Sequence, residues 1–346
     1  MQKVIETQKE LLEKLQQEIS DNNDFIEKIE FIKQLSFHDF QEEQSGLSLY
    51  KITTKTGVKE VYGFFSSDKK SKRFYNKKII LQKLNEYNFP TDELSITKII
   101  KFYPKTNIFL REGAEGNSLL EILEENNNNY KKATIGAARW IARMHNLTPE
   151  KNIFQSRYKI AKKNYKNYLK DIKNYLPEKE AISKNILSKV SKISKKPETS
   201  LIHGDFQAQN IIYNQIDNKT IVIDYDWAGM GDYLYDIASF LIQLDYKTSK
   251  ILDAKETIAL KNIFLREYEK ASGQILNGTA KEINAYQAEI AIQRINWIIG
   301  FIKKPIGIEL NEVEQKITIK NLFKKAEECI DEDKNINLKL YPYSTL

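Results

Sequence analysis

The sequence predicts an α+β chain in two unequal parts: a small part built on an antiparallel sheet, then a larger, mainly helical part. Three observations carry this. Strand-like runs of β-branched and aromatic residues concentrate in 47–112, and helical periodicity dominates beyond 117. Within the helical part, one pair of short β runs, 211–213 and 221–223, flanks the polar segment 214–220. A length of 346 residues with 41% hydrophobic and 11% aromatic content is ample for a sizeable core, as one large two-part domain or two compact ones.

Taken in order, residues 1–35 read as two helices. Ile5, Leu11, Leu12, Leu15 and Ile19 recur at helical spacing, as do Phe25, Ile26, Ile29, Phe31, Ile32 and Leu35, with Ser20 and Asp21 breaking between them. The pattern does not sustain the heptads of a coiled coil, so a helical extension packed on the small part is favoured over a dimerisation helix. In 36–112, the runs 47–53 and 60–65 are strands joined at Lys55-Thr56-Gly57. Next come a crossing helix over 76–84, ended by Asn88-Phe89-Pro90, and a second hairpin, 96–103 with 108–112, over the turn 104–107. Residues 113–346 form the larger part. Asn117 or Ser118 caps a helix, 126–129 is a polar loop, and 135–145 is an amphipathic helix ending at His145, read as a buried structural histidine. Helices over 157–176 and 182–193 follow, with Tyr158, Tyr165, Tyr168 and Tyr175 spaced as one packed face. Segments 245–273 and 280–301 form the last helical layer, and 335–346 is an alternating tail with no assigned role.

The formal charge of +7 is compatible with nucleic acid or an anionic membrane as partner. The lysines are scattered and no nucleic-acid reading motif accompanies them, so nucleic acid is disfavoured. Cys329 is the single cysteine, which excludes an intrachain disulfide and fits a cytoplasmic location. Residues 1–19 are charged and lack the apolar core of a secretory signal, and the apolar run 295–302 is too short to span a bilayer, so no membrane insertion is expected. Oligomeric state is not legible.

The chemistry concentrates in 201–241. With Asp217 at the hairpin tip, Tyr213 would face Ile221 and Asn210 would face Asp224. Opposed residues lie roughly 4.5–5.5 Å apart, so an amide oxygen and a carboxylate could share one small hard cation, Mg²⁺. Asp205 lies five residues before Asn210. Asp-x-x-x-x-Asn followed by a metal-binding Asp is an arrangement used for phosphoryl transfer. Asp and Asn also end strands and turns without any chemistry. The full spacing, with Gly229-x-Gly231-Asp232 and Tyr235-Asp236-Ile237-Ala238 downstream, outweighs that reading.

The segments HGDFQAQN, IDYDWAGMGD and YDIASF resemble the phosphotransferase family that includes aminoglycoside phosphotransferases, bacterial choline kinases, thiamine kinases and some sugar kinases. The resemblance implies a bilobal protein-kinase-like fold, with an extension (1–35), a nucleotide-binding lobe (36–112) and a catalytic, acceptor-binding lobe (113–346). It implies transfer of the γ-phosphate of ATP or GTP, with Mg²⁺, to a hydroxyl of a small acceptor such as a sugar, amino alcohol or aminoglycoside. On that reading Asp205 is the base, and Asn210 and Asp224 hold the metal. Arg111, Glu112 and Gly113 receive the nucleotide through their backbone, while His203, Asp226 and Asp236 support the loop or the acceptor.

The small part departs from the family. Where the family carries a strand Lys and a helix Glu, this chain has Gly63 and Lys77. Lys51, Lys59 or Lys77 could reach the phosphates instead, or the chain resembles the sugar-kinase branch in lacking the strand Lys. The alternative from another class is a catalytically weak or inactive nucleotide-binding scaffold. A protein kinase is disfavoured, because Tyr225-Asp226 follows Asp224 where Phe-Gly would stand.

Overall fold

A computed structural model describes residues 2–22, 25–40, 43–67, 72–147, 154, 156–193, 199–249, 251–303 and 312–331. The chain divides into two compact units, Met1–Glu115 and Gly116–Leu346. The tail expected over 335–346 lies outside the described residues.

The first unit opens with α1 (Gln2–Asp21), followed by β1 (Ile26–Phe40), β2 (Glu43–Thr54), β3 (Gly57–Ser66), α2 (Lys72–Glu86), β4 (Leu94–Ile96), β5 (Ile99–Tyr103) and β6 (Ile108–Arg111). Five strands form an antiparallel sheet in the order β1-β2-β3-β6-β5. Leu15 and Ile19 of α1 are buried against Ile26, Ile29, Tyr50, Ile52, Val61 and Phe65, as the apolar spacing of the helix requires. Glu18, also buried, ties α1 to the β5–β6 turn: it accepts from the amides of Lys105 and Thr106, both at 2.9 Å, and from the Thr106 hydroxyl. Elsewhere in the unit, Phe74 of α2 stacks on Phe64 of the sheet and packs at a tilt against Phe109.

Residues 25–35 are not the expected second helix. From Ile26 onward they are the start of β1, so the boundary expected after residue 35 falls inside a strand. The reason is the register, which shifts between Ile26 and Lys28, Phe31 and Lys33, and Gln34 and Ser36. Each bulge inserts one residue and stretches the strand's period of two, so the buried Ile26 and Ile29 stand three apart, as on a helix. Phe25, Ile32 and Leu35, which completed the apparent helical face, are exposed.

The second unit carries β7 (Asn117–Ser118), α3 (Leu119–Glu124), α4 (Tyr130–His145), α5 (Arg157–Tyr175), α6 (Glu180–Ile193), β8 (Ser200–Ile202), β9 (Ile211–Asn214), β10 (Lys219–Val222), β11 (Gly229–Gly231), α7 (Leu234–Thr248), α8 (Ala254–Ser272), α9 (Ala280–Lys303) and α10 (Glu312–Ile330). Ser118 caps α3 in a reciprocal box with Glu121. Strand β9 pairs with β7 and β10, and β8 with β11. Helix α4 packs on β8, β9, β10 and α8, while α7 packs on α9. This places the β8–β9 loop and the β10–β11 loop among helices α4, α7 and α9. Among the described residues, no helix is long and apolar enough to cross a membrane.

Gly63 has a packing reason. A Cβ at this position would overlap the ring of Tyr50, which is fully buried in the core beneath α1. Replacing Gly63 with Ala should therefore overpack the unit and cost about 1–3 kcal/mol of unfolding free energy. Urea denaturation checks this, and an unchanged midpoint would contradict the packing.

Candidate active site

Between β8 and β9 the chain runs through His203–Gln207 and a short 3₁₀ turn, Ala208–Asn210. Gly204 adopts φ +78°, and a Cβ there would overlap the Trp227 carbonyl, so the loop needs glycine on both counts. Asp236, fully buried in the first turn of α7, fixes the same point. Its carboxylate accepts from the amides of His203 (2.7 Å) and Gly204 (2.8 Å) and from His145 Nε2 (3.1 Å). Since a carboxylate only accepts, His145 carries its proton on Nε2, and Nδ1 accepts from the Tyr268 hydroxyl at 2.8 Å. Burial raises the Tyr268 pKa, which keeps that hydroxyl protonated. His203 is braced likewise: Nε2 donates to the Ile223 carbonyl at 3.0 Å, and Nδ1 accepts from the Asp205 amide at 3.4 Å.

Asn210 is tied to the Asp205 carbonyl and to Ile223, the residue before Asp224, although not by the expected register. The ladder pairs Tyr213 with Thr220 and Ile211 with Val222, and the Ile223 amide donates to the Asn210 carbonyl at 2.9 Å. Asn210 therefore faces Ile223, one position short of Asp224. The cause is the turn, residues 215–218, with Asn218 left-handed at φ +52°, which centres the hairpin between Ile216 and Asp217 instead of on Asp217. Asp224 leaves the strand at φ +69°, a conformation that re-aims the chain immediately after Ile223. The Asn210 side chain donates to the Asp205 carbonyl at 3.0 Å, which commits its nitrogen and leaves its amide oxygen as the remaining ligand atom. An amide oxygen and a carboxylate suit a hard divalent cation that takes its other ligands from water and phosphate. Among the described residues, no three His, Cys, Asp or Glu side chains form a group that could hold a metal. Asp226 is half-buried and follows Tyr225, whose ring packs 5.2 Å from that of His203.

The structure adds residues to which sequence reasoning gave no role. Arg294 of α9 donates Nη2–H to Asp205 Oδ1, and Gln207 Nε2 donates to Oδ2 at 2.8 Å. Lys247, near the end of α7, donates to the side-chain oxygens of Gln207, at 2.9 Å, and Gln209. Burial alone would lower the pKa of Arg294, but Asp205, together with Tyr246 and Tyr235, raises it. Burial, then the Arg294 charge, pulls Lys247 down to about 8 against the opposing effects of Asp205 and Glu124. One signal for Arg294 was present: it is a lone charge in the run Ala291-Ile292-Gln293-Arg294-Ile295, whose apolar members are fully buried, and such a charge demands a partner.

Arg111, Glu112 and Gly113 belong to the first unit, at and just after the end of β6. The Arg111 guanidinium lies over the Tyr62 ring, and Glu112 donates its amide to the Lys98 carbonyl at 2.9 Å. Of the cations considered in place of the strand Lys, Lys59 pairs with Glu112 at 3.6 Å, and Lys77 sits 4.1 Å from the centre of the Phe64 ring. Lys51 is exposed.

A five-stranded antiparallel unit followed by a helical unit, whose central loop and hairpin carry Asp205, Asn210 and Asp224, has the architecture of a kinase-like phosphotransferase. A family described as "Phosphotransferase enzyme family" matches residues 101–274, just over half of the sequence. The chain belongs to that family and is a phosphotransferase with an alcohol group as acceptor. Solved structures with the same fold include the Plasmodium vivax ethanolamine kinase, 16% identical with TM-score 0.60, over 86% of this chain and 82% of that one. A choline/ethanolamine kinase family protein from Mesorhizobium loti is 11% identical with TM-score 0.61, over 94% and 96%. The amicoumacin kinase complex with AMP-PNP, Ca²⁺ and Ami is 12% identical with TM-score 0.61, over 90% and 93%. No curated protein matches.

Asp236→Ala would leave three buried donors without their acceptor, at about 1–3 kcal/mol each. Chemical denaturation should show at least roughly 3 kcal/mol of lost stability, and a loss under about 1 kcal/mol would contradict this role.

Proposed function

We propose that the protein transfers the γ-phosphate of ATP, or GTP, to the hydroxyl of a small acceptor such as a sugar, amino alcohol or aminoglycoside, with Asp205 as base. The observation that carries this reading is the hydrogen-bonded nest joining Asp205, Asn210 and the Ile223–Asp224 step. In the reaction, the acceptor O–H gives its proton to Asp205 as its oxygen bonds the γ-phosphorus, and the bond from that phosphorus to the β-γ bridging oxygen breaks to release the nucleoside diphosphate. Asn210 and Asp224 would hold Mg²⁺, which when bound neutralises charge on the β- and γ-phosphate oxygens. Backbone groups of Arg111, Glu112 and Gly113 would receive the base of the nucleotide. His203 and Asp236 hold the Asp205 loop in position, and Asp226 supports it or the acceptor. The AMP-PNP of the amicoumacin kinase complex and the AMP of a LicA complex of the same fold support a nucleotide co-substrate. A cytoplasmic setting belongs to the same proposal.

A specific observation favours the second reading, a catalytically weak or inactive nucleotide-binding scaffold. Tyr50 fills the space beside Gly63, so no cation occupies that strand position. A kinase would need a cation from another element at the phosphates, with Lys51, Lys59 and Lys77 as the candidates.

Asp205→Asn separates the two readings. For a kinase, kcat for acceptor-dependent ADP release should fall at least a hundredfold, in the range of lost general-base catalysis, with Mg-ATP binding retained. Activity within a fewfold of wild type would refute Asp205 as base. Binding of Mg-ATP with no turnover by the wild type, over sugars, choline, thiamine and aminoglycosides, would favour the scaffold.

A further inference from the structure

Asp205 takes a hydrogen bond on each carboxylate oxygen, from Arg294 on Oδ1 and from Gln207 Nε2 on Oδ2. Its orientation depends on such contacts, because the last torsion of an aspartate is broad and no rotamer well fixes the plane of the carboxylate. Arg294 has only donors to offer, so either end of its fork serves. Gln207 is different: its amide has an acceptor at one end and donors at the other, and it serves Asp205 only with the nitrogen turned that way. The Gln207 side chain is buried, and its oxygen accepts from Lys247 Nζ at 2.9 Å. An ammonium only donates and an ionised carboxylate only accepts. Between these two neighbours one orientation of the amide satisfies both. The flipped one would set oxygen against carboxylate and N–H against ammonium. Lys247 therefore determines which end of Gln207 meets Asp205. Its second partner is the side-chain oxygen of Gln209, so one half-buried lysine of α7 grips the turn on both sides of Ala208. The main-chain carbonyl of Gln207 also accepts from the Asn210 amide at 2.9 Å, which ties the same residue to Asn210.

We propose that Lys247 is a positioning residue for phosphoryl transfer: acting through Gln207, it holds Asp205 in the orientation that receives the acceptor's proton. This rests on the kinase reading of Asp205. The role needs no contact between Lys247 and either the acceptor or the nucleotide. With the lysine gone, the buried Gln207 oxygen loses its donor, and nothing opposes rotation of the amide. Asp205 then keeps Arg294 as its one aiming contact and turns about it. A reacting group displaced by roughly 1 Å can cost about a hundredfold in rate.

The test is steady-state kinetics on the full chain, following ADP release with the best acceptor found among sugars, choline, thiamine and aminoglycosides. Lys247→Met keeps the stem of the side chain and removes its donor. It should lower kcat at least about tenfold, within the cost of a misplaced reacting group, while the KM for Mg-ATP changes less than about threefold. In a Gln207→Leu background the same substitution should cost less than about twofold, because a residue that acts through another then has nothing to transmit. Melting temperatures are recorded alongside. A lowered Tm with kcat kept overturns the proposal, as do equal losses of kcat in the two backgrounds. A second measurement does not need the double variant to fold: exchange of the Gln207 Nε2 hydrogens with solvent, followed by NMR after ¹⁵N-glutamine labelling. It should quicken at least about fivefold in Lys247→Met, as for a hydrogen bond that opens more often, and unchanged exchange overturns the proposal. Wild-type turnover that is indifferent to Lys247→Met removes the role of Lys247 and leaves the kinase reading standing. No turnover by the wild type over the whole panel removes both.

Discussion

The loop that carries Asp205 has almost no regular structure of its own, so the Asp236 carboxylate sets its course. That carboxylate is fully buried in the first turn of α7 and takes hydrogen bonds from two successive loop amides and from His145. Three donors removed from water meet one acceptor that cannot be replaced by solvent. Gly204 supplies the backbone conformation that aims both amides at it, and His203 bridges from this point to the Ile223 carbonyl at the end of β10. Loop, hairpin and helix are thereby fixed against one another. The positions of Asp205, Asn210 and Asp224 follow from this arrangement.

Much of this was legible in the sequence, for identifiable reasons. The Asp-x-x-x-x-Asn spacing survives in three dimensions because a 3₁₀ turn carries Asn210 back under the Asp205 carbonyl. The burial of His145 was legible from its place at the end of an amphipathic helix, and its partners Tyr268 and Asp236 were not, since both are distant in sequence. Strand β1 was misread because its bulges give buried Ile26 and Ile29 a helix-like interval. The hairpin register was misjudged by one position, because turn geometry turns on Asn218 accepting a left-handed conformation, which composition alone does not dictate.

Arg294 shows a different limit. An arginine among isoleucines announces that it needs a buried partner, but its identity depends on α9 packing beside the β8–β9 loop, a long-range outcome of the fold. The pairing also changes how the site reads. Asp205 is embedded in a polar chain that ends on a lysine, and this chain sets its orientation. In the first unit, Gly63 is explained by the Tyr50 ring beside it.

One loop and one hairpin carry Asp205, Asn210 and Asp224, and we propose that the last two hold a nucleotide-bound metal. Anomalous diffraction from crystals grown with AMP-PNP and Mn²⁺, an ion that takes the same oxygen ligands, tests it most directly. A manganese peak is expected within roughly 2–2.5 Å of the Asn210 amide oxygen and an Asp224 carboxylate oxygen, as for a small hard cation, with the γ-phosphate on the Asp205 side. Bound nucleotide with its metal held by other residues would contradict it.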